Sequence, residues 1–319
     1  MTKIGEVNKV SGTGKTVKKR QKMSKSMKKI NIIYFLMLCP AVLCMILFHY
    51  LPMFGTIIAF KDYRYAKGIF GSEWIGFENF KGFFASSDAF LTIRNTVSYG
   101  VVFIIADIFV GVLFGILVYE CSKRYLTKYY QTTMLLPHFM SWVVVAYVVY
   151  AFLDPVNGVV NKTFGLEINW YSDPKWWPFF IVISHIWKGV GMNSIMYYAA
   201  LMGIDESLYE AAAIDGASKW KQTLYITIPE LRSIISILIV LGIGKVFKGD
   251  FGLFYQIPMD VGALYPATDI IDTYVFRGLR SGDMGVTTAV GLVQSVVGLA
   301  LTIGCNAVVK KLDSDSAMF

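Results

Sequence analysis

An all-α integral membrane protein with about six transmembrane helices is the fold class this sequence predicts, on three observations. Hydrophobic side chains make up 55% of the 319 residues and charged ones 16%, at a mean hydropathy of +0.53, too apolar for an ordinary soluble domain. Apolar stretches near the roughly 20 residues needed to cross a bilayer fall at 31–52, 92–119, 131–153, 176–201, 231–248 and 286–309. Basic residues gather on alternate sides of these stretches. The segments expected inside carry the tail before residue 30, then Lys123, Arg124 and Lys128, then Lys219, Lys221 and Arg232, then Lys310 and Lys311. Those expected outside are poorer in charge for their length, so both termini are predicted to be cytoplasmic in a multi-pass plasma-membrane protein.

The first 29 residues hold ten lysines and arginines against a lone Glu6 and account for much of the +8 net charge. A basic tail ahead of an apolar span signals cytoplasmic retention and contact with anionic lipid, not nucleic-acid binding. Its Gly12-Thr13-Gly14-Lys15-Thr16 does not make a phosphate loop, because Lys9 stands where the first glycine is required and no strand precedes it. The tail, 1–29, is read as disordered. The apolar run from Ile30 is longer than a signal-peptide core and lacks a small-x-small cleavage site, so the first span is expected to be retained.

The second span contains Gly111 and Gly115, a GxxxG spacing that marks close packing within the subunit. Pro137 is expected to kink the third, with Thr132 and Thr133 taking up freed backbone groups. Asp173-Pro174 supplies a cap and a first-turn proline to the fourth. Trp170, Trp176 and Trp177 are expected at headgroup level, and the aromatic-rich loop from Tyr63 to Phe84 is expected to be folded. Residues 269–276 form either a short amphipathic helix over a pore mouth or a cap on the helix ends. Cys39, Cys44, Cys121 and Cys305 make no CxxC pair, and His49, His138 and His185 are too dispersed for a metal site, so free thiols and no metal are expected.

Between the fourth and fifth spans, at about 203–231, lies a polar island. Glu210-Ala211-Ala212-Ala213-Ile214-Asp215-Gly216-Ala217 is followed by Ile226-Thr227-Ile228-Pro229. It reads as two short helices joined at a glycine corner. The alanines allow close approach of another protein, Gly216 permits a left-handed backbone, Ser218 caps the second helix, Trp220 and Leu224 share a face, and Pro229 closes it.

This island resembles the coupling loop of ATP-binding-cassette importer permeases, in which Glu-Ala-Ala precedes Asp-Gly-Ala and then a proline. Tyr50-Leu51-Pro52-Met53-Phe54-Gly55 with Ile58-Ala59-Phe60-Lys61-Asp62-Tyr63 is similar to the oligo- and polysaccharide permeases of Gram-positive bacteria. Trp74-Ile75-Gly76-Phe77-Glu78-Asn79-Phe80 resembles a segment of carbohydrate-type importers. The resemblance covers nearly all of 30–311, leaving 312–319 as a cytoplasmic tail. It implies a type I importer permease that pairs with a second, homologous permease to carry an oligosaccharide or polysaccharide fragment. Two ATPase subunits holding ATP and Mg, with none on this chain, would dock on Glu210, Ala211, Ala212, Asp215, Gly216, Ala217 and Pro229, and an extracellular lipoprotein would deliver the sugar. Glu230, and Ser233 to Ser236 where a second proline often sits, depart from the pattern and leave the end of the second short helix open.

Two further segments are similar to sugar-contacting parts of maltose-type permeases. One holds Trp187, Lys188, Gly189 and Met192, with Asn193 and Tyr197 following at helical spacing; the other holds Lys248 and Asp250. In the alternative, Lys188 pairs with a carboxylate of the partner permease. An importer of a non-sugar solute and an ion-driven secondary transporter are the competing functions. The latter should show inverted repeats with intramembrane carboxylates at matching places, whereas Asp107 is the one carboxylate deep in a clear span. No nucleophile with its base marks an enzyme.

Overall fold

The structure, a computed structural model, describes residues 25–121 and 124–312; most of the basic tail and the 313–319 tail lie outside the described residues. The chain divides into two compact units, Met1–Gly55 and Thr56–Phe319. In the first unit, helix α1 (Lys25–Met45) begins inside the segment read as a tail and runs on through a π-helical turn at Ile46–Tyr50. That turn directly precedes Pro52, whose missing N–H leaves a carbonyl of the previous turn without its partner.

The second unit opens on a small two-stranded antiparallel sheet, β1 (Lys61–Asp62) with β2 (Glu73–Trp74), in register Lys61 to Trp74. The folded loop expected from its aromatics is present: Phe60 stacks on Trp74 with ring centroids 5.7 Å apart and meets Phe77 edge-on. Asn79 Nδ2 donates to Ala59 O and Lys61 O at 2.9 and 3.0 Å, which pins the loop from inside.

Nine helices are needed to follow the rest: α2 (Ser87–Tyr119), α3 (Arg124–Phe139), α4 (Trp142–Leu153), α5 (Trp177–Leu201), α6 (Glu206–Ile214), α7 (Arg232–Lys245), α8 (Phe251–Gln256), α9 (Ile271–Ser281) and α10 (Met284–Leu312). Among the described residues, four helical stretches are long and apolar enough to cross a bilayer: Asn31–Phe60, Ser87–Tyr119, Pro174–Leu201 and Met284–Lys311. Two bent pairs, α3 with α4 at 97° and Lys219–Glu230 with α7 at 57°, raise the total to six if each pair is one span. The expected third span is therefore an elbow broken at Met140 and Ser141, beyond Pro137. The fifth helix ends at Lys245, three residues short of its expected end.

α2 is the central helix. Ser86 caps it, its hydroxyl accepting from Ala89 N at 3.3 Å. The GxxxG acts within the subunit: a Cβ at Gly111 would lie 2.7 Å from the Tyr197 ring, and one at Gly115 would lie 2.9 Å from Tyr197 Cβ. On another face, Gly242 of α7 abuts Ile104. Asp173 accepts from Lys175 N at 2.9 Å and opens the fourth span as the sequence implied.

Trp170 and Trp177 are buried within the protein, while Trp176 is exposed. The reason is hydrogen bonding as well as size. Trp177 Nε1 donates to Trp170 O at 2.7 Å and Trp170 Nε1 to Asn161 Oδ1 at 2.9 Å, so the indoles form the interior of a core with Ile181, Leu253, Phe254 and Leu264. The segment near 269–276 resolves into α9. Its preceding Asp269 is buried and paired with Arg277, with Nη2 to Oδ2 at 2.5 Å, and Ile271 N donates to Thr96 Oγ1 of α2 at 3.0 Å.

Adding one methyl where α2 meets α5 should be costly. Gly111→Ala and Gly115→Ala are expected to lower stability by about 1–3 kcal/mol through overpacking against Tyr197. Thermal unfolding of the purified protein checks this, with Gly291→Ala, which meets nothing within 4 Å, leaving the midpoint unchanged.

Candidate functional site

The polar island folds as its residue types dictate. Asp205 caps α6, accepting from Ser207 N at 2.9 Å, and these hydrogen bonds hold its carboxyl below the ordinary value. At the far end, Gly216 N donates to Ala213 O at 3.1 Å and Ala217 N to Ala212 O at 2.9 Å, with Gly216 at φ +76°. This is a Schellman stop, and it explains why glycine follows Asp215: the position is left-handed. Ser218 then caps the next turn, accepting from Lys221 N at 3.4 Å.

Two side-chain bonds close the loop into one body. Tyr209 Oη meets Thr227 Oγ1 at 3.0 Å, and Gln222 Nε2 donates to Ala217 O at 3.2 Å. Pro229 does not end the second helix at once. A π-helical turn at Thr223–Thr227 precedes it, as one precedes Pro52, and the helix continues to Glu230 before bending at Leu231. Glu210, Asp215, Gly216 and Pro229 are exposed, as are Ile214 (86%), Trp220 (70%) and Tyr225 (78%). Three bare apolar side chains beside a glutamate make a surface suited to another protein. Behind it, Lys219 pairs with Glu120 at 3.3 Å, and Glu206 and Glu210 line a recess of about 830 Å³.

A second polar assembly lies within the spans. About 18 Å of helix separates Asp107 from the end of α2 at Tyr119. Its Oδ1 accepts from Asn193 Nδ2 at 2.8 Å and lies 3.1 Å from His185 Nε2; the His185 ring stacks on Phe103 at 3.8 Å. Asp107 lines two adjoining cavities. One, of about 200 Å³, is also lined by Tyr99, His185, Lys245, Lys248 and Asp250; the other, of about 380 Å³, by Asn193, Tyr197 and Lys245.

Among the sequence-nominated path residues, Asn193, Tyr197, Lys248 and Asp250 thus reach these cavities. Trp187 and Met192 are exposed on α5, and Gly189 sits near Asp107, where a Cβ would lie 3.8 Å from Oδ1. Tyr197 is almost fully buried, being the residue that fills the space above Gly111.

Lys188 turns to the elbow. Its Nζ donates to Pro137 O, His138 O and Met140 O at 3.3, 2.8 and 2.5 Å, and it lies 5.1 Å from the Trp142 ring centroid. These carbonyls lie at the break between α3 and α4, where Pro137 O also accepts from Met140 N at 3.1 Å. The expected role of Thr132 is corrected accordingly: its Oγ1 donates to Lys128 O one turn earlier, at 2.8 Å. Trp142 Nε1 in turn donates to Asp250 Oδ2 at 2.9 Å, and Asp250 Oδ1 accepts from Leu253 N at 3.2 Å to cap α8. Asp107, His185 and Lys245 were not nominated as path residues. The signal for them was present in the sequence as ionisable groups inside apolar stretches.

The residues 107–313 match the family described as "binding-protein-dependent transport system inner membrane component". The chain belongs to this family. Over 88% of its length it is 37% identical to protein LplB of Bacillus subtilis, covering 89% of that protein. It is 34% identical to the polygalacturonan/rhamnogalacturonan transport system permease protein YteP of the same organism, covering 88% of each chain. In structure it resembles a subunit of a bacterial ABC transporter involved in the import of the acidic polysaccharide alginate. The TM-score is 0.82 at 31% identity, over 91% of this chain and 98% of that one. A second structure shows that transporter with an alginate pentasaccharide-bound periplasmic protein, at a TM-score of 0.80 and 30% identity, over 90% of this chain and 97% of that one. The chain is therefore a multi-pass membrane component of an ATP-binding-cassette importer, and the secondary-transporter reading is set aside.

Lys188→Met should leave three backbone carbonyls without their charged donor and lower stability by about 1–3 kcal/mol, with Lys188→Arg recovering part of it. Thermal unfolding of the assembled complex measures this. A Lys188→Met complex as stable as the parent but slower in transport would show the ammonium serving the substrate.

Proposed function

We propose that this chain is one of two homologous permease subunits of a plasma-membrane importer for an oligosaccharide or polysaccharide fragment. Two cytoplasmic ATPases carrying ATP and Mg dock on Glu210, Ala211, Ala212, Asp215, Gly216, Ala217 and Pro229, and an extracellular lipoprotein delivers the sugar. The observation that carries this reading is the loop itself, a hydrogen-bonded body that leaves Glu210, Ile214, Trp220 and Tyr225 exposed. The polygalacturonan and rhamnogalacturonan of YteP and the alginate of the structural relative support a saccharide. Sugar passes by Asn193, Tyr197, Lys248 and Asp250 in the cavities and along Trp187, Gly189 and Met192 on the adjoining face of α5, with Lys188 holding the elbow beside it. The charge asymmetry of the loops supports cytoplasmic termini.

Two experiments test this. Glu210→Ala should break a charge-assisted contact to the ATPase and reduce coupled transport by roughly tenfold or more, while Gly216→Pro should abolish docking because its backbone is left-handed; neither should reduce insertion of the spans. Co-purification of the ATPase and uptake into proteoliposomes are the readouts, and parental values for both variants would remove the docking assignment. For orientation, cysteines replacing the exposed Ser172 and Ser218 in a background lacking native thiols are compared in intact cells. An impermeant maleimide should label the first and spare the second, and the reverse pattern would invert the topology.

A further inference from the structure

The cavity lining contains four formal charges, and their hydrogen bonding is unequal. Asp107 accepts from Asn193 and His185, and Asp250 accepts from Trp142 Nε1 and Leu253 N. Asp272, behind the rim, accepts from Gly249 N at 2.8 Å and Gln294 Nε2 at 3.0 Å, while burial raises its carboxyl above the ordinary value. Lys245 and Lys248 are different. They stand one turn apart, Lys248 N donating to Lys245 O at 2.8 Å, and both side chains are exposed to the cavity region. Neither ammonium makes a hydrogen bond or an ion pair with any described residue; Lys248 acts on Asp272 through space alone.

Lys245 ends α7 and Lys248 lies three residues beyond it, both exposed where they line the cavity. Two ammonium groups without a partner among the described residues, beside three carboxylates that are already hydrogen-bonded, leave a place for an anion. We propose that Lys245 and Lys248 form an anion-reading site in the translocation path, and that the substrate is an acidic oligosaccharide whose uronate carboxylates they engage. This rests on the saccharide-importer reading above and deepens it. Lys245 lines both cavities and Lys248 one, so successive carboxylates of a chain can be passed from one ammonium to the next. Tyr99, Phe103 and Phe254 give the same cavity apolar walls for the sugar rings between charged groups.

The whole importer, reconstituted with its binding protein in proteoliposomes, is assayed with trigalacturonate and with its neutral methyl ester, and uptake is expressed per loaded binding protein. The parent should favour the acid. Lys245→Gln with Lys248→Gln should lower the ratio of acid to ester uptake at least tenfold, and the double Arg variant should recover it. If the binding protein loads the acid alone, the Gln and Arg pair decides: loss with Gln and recovery with Arg supports the site, and unchanged uptake with Gln overturns it. Equal slowing of acid and ester overturns it too, as does a lower yield of assembled complex with normal transport per complex, which assigns the lysines to the partner permease. Single Gln variants are run alongside in case the double variant does not assemble. A parent that carries the ester and not the acid overturns the anion site alone, whereas a parent that carries no saccharide overturns the importer reading itself.

Discussion

Everything in the inner part of this molecule has to accommodate one rule of the bilayer: backbone polar groups cannot be left open to hydrocarbon. The chain nonetheless breaks a span at Met140 and Ser141, bending it by 97°. What makes that break tenable is a single ammonium. Lys188 gathers three carbonyls at the elbow, and from there the connection passes through Trp142 to Asp250 and into the cap of α8. Three separate segments are tied by that path, and the shape of the cavity follows from where it holds them.

The two functional regions are joined by continuous helix. α5 carries His185 and Asn193 at the cavity and runs to Leu201, just before the exposed loop; α7 leaves that loop and reaches the cavity at Lys245. Close packing makes these helices poor absorbers of strain: Gly111 and Gly115 bring α2 against Tyr197 of α5, and Gly242 brings α7 against Ile104 of α2. A force applied at the loop therefore meets the cavity walls through packed elements with little slack.

What could be read in the sequence was local. The Schellman stop at Gly216, the caps at Asp173 and Ser218, the intrasubunit GxxxG and the folded aromatic loop each depend on residues near one another in the chain. The roles that escaped it depend on distant partners. Nothing near Lys188 announces that its acceptors lie about 50 residues upstream, on backbone atoms that carry no residue signature. The burial of Trp170 and Trp177 rests on the Asn161 amide and the Trp170 carbonyl, acceptors whose pairing with these indoles no local motif announces. Asp107 was visible as an isolated carboxylate, but its company with His185 and Asn193 arises only when α2 lies along α5. The turn geometry around Pro229 was also misjudged, since a π-helical turn absorbs the proline and moves the bend to Leu231.

The elbow also bears on how the protein is made. Its carbonyls are synthesised well before Lys188, and each party is costly in lipid alone: open carbonyls because nothing hydrates them, the ammonium because of its charge. Insertion one span at a time would leave the first half of that bond exposed while the second was still in the ribosome. α3, α4 and α5 therefore share one energetic cost, which falls only once the lysine has met its acceptors at that corner.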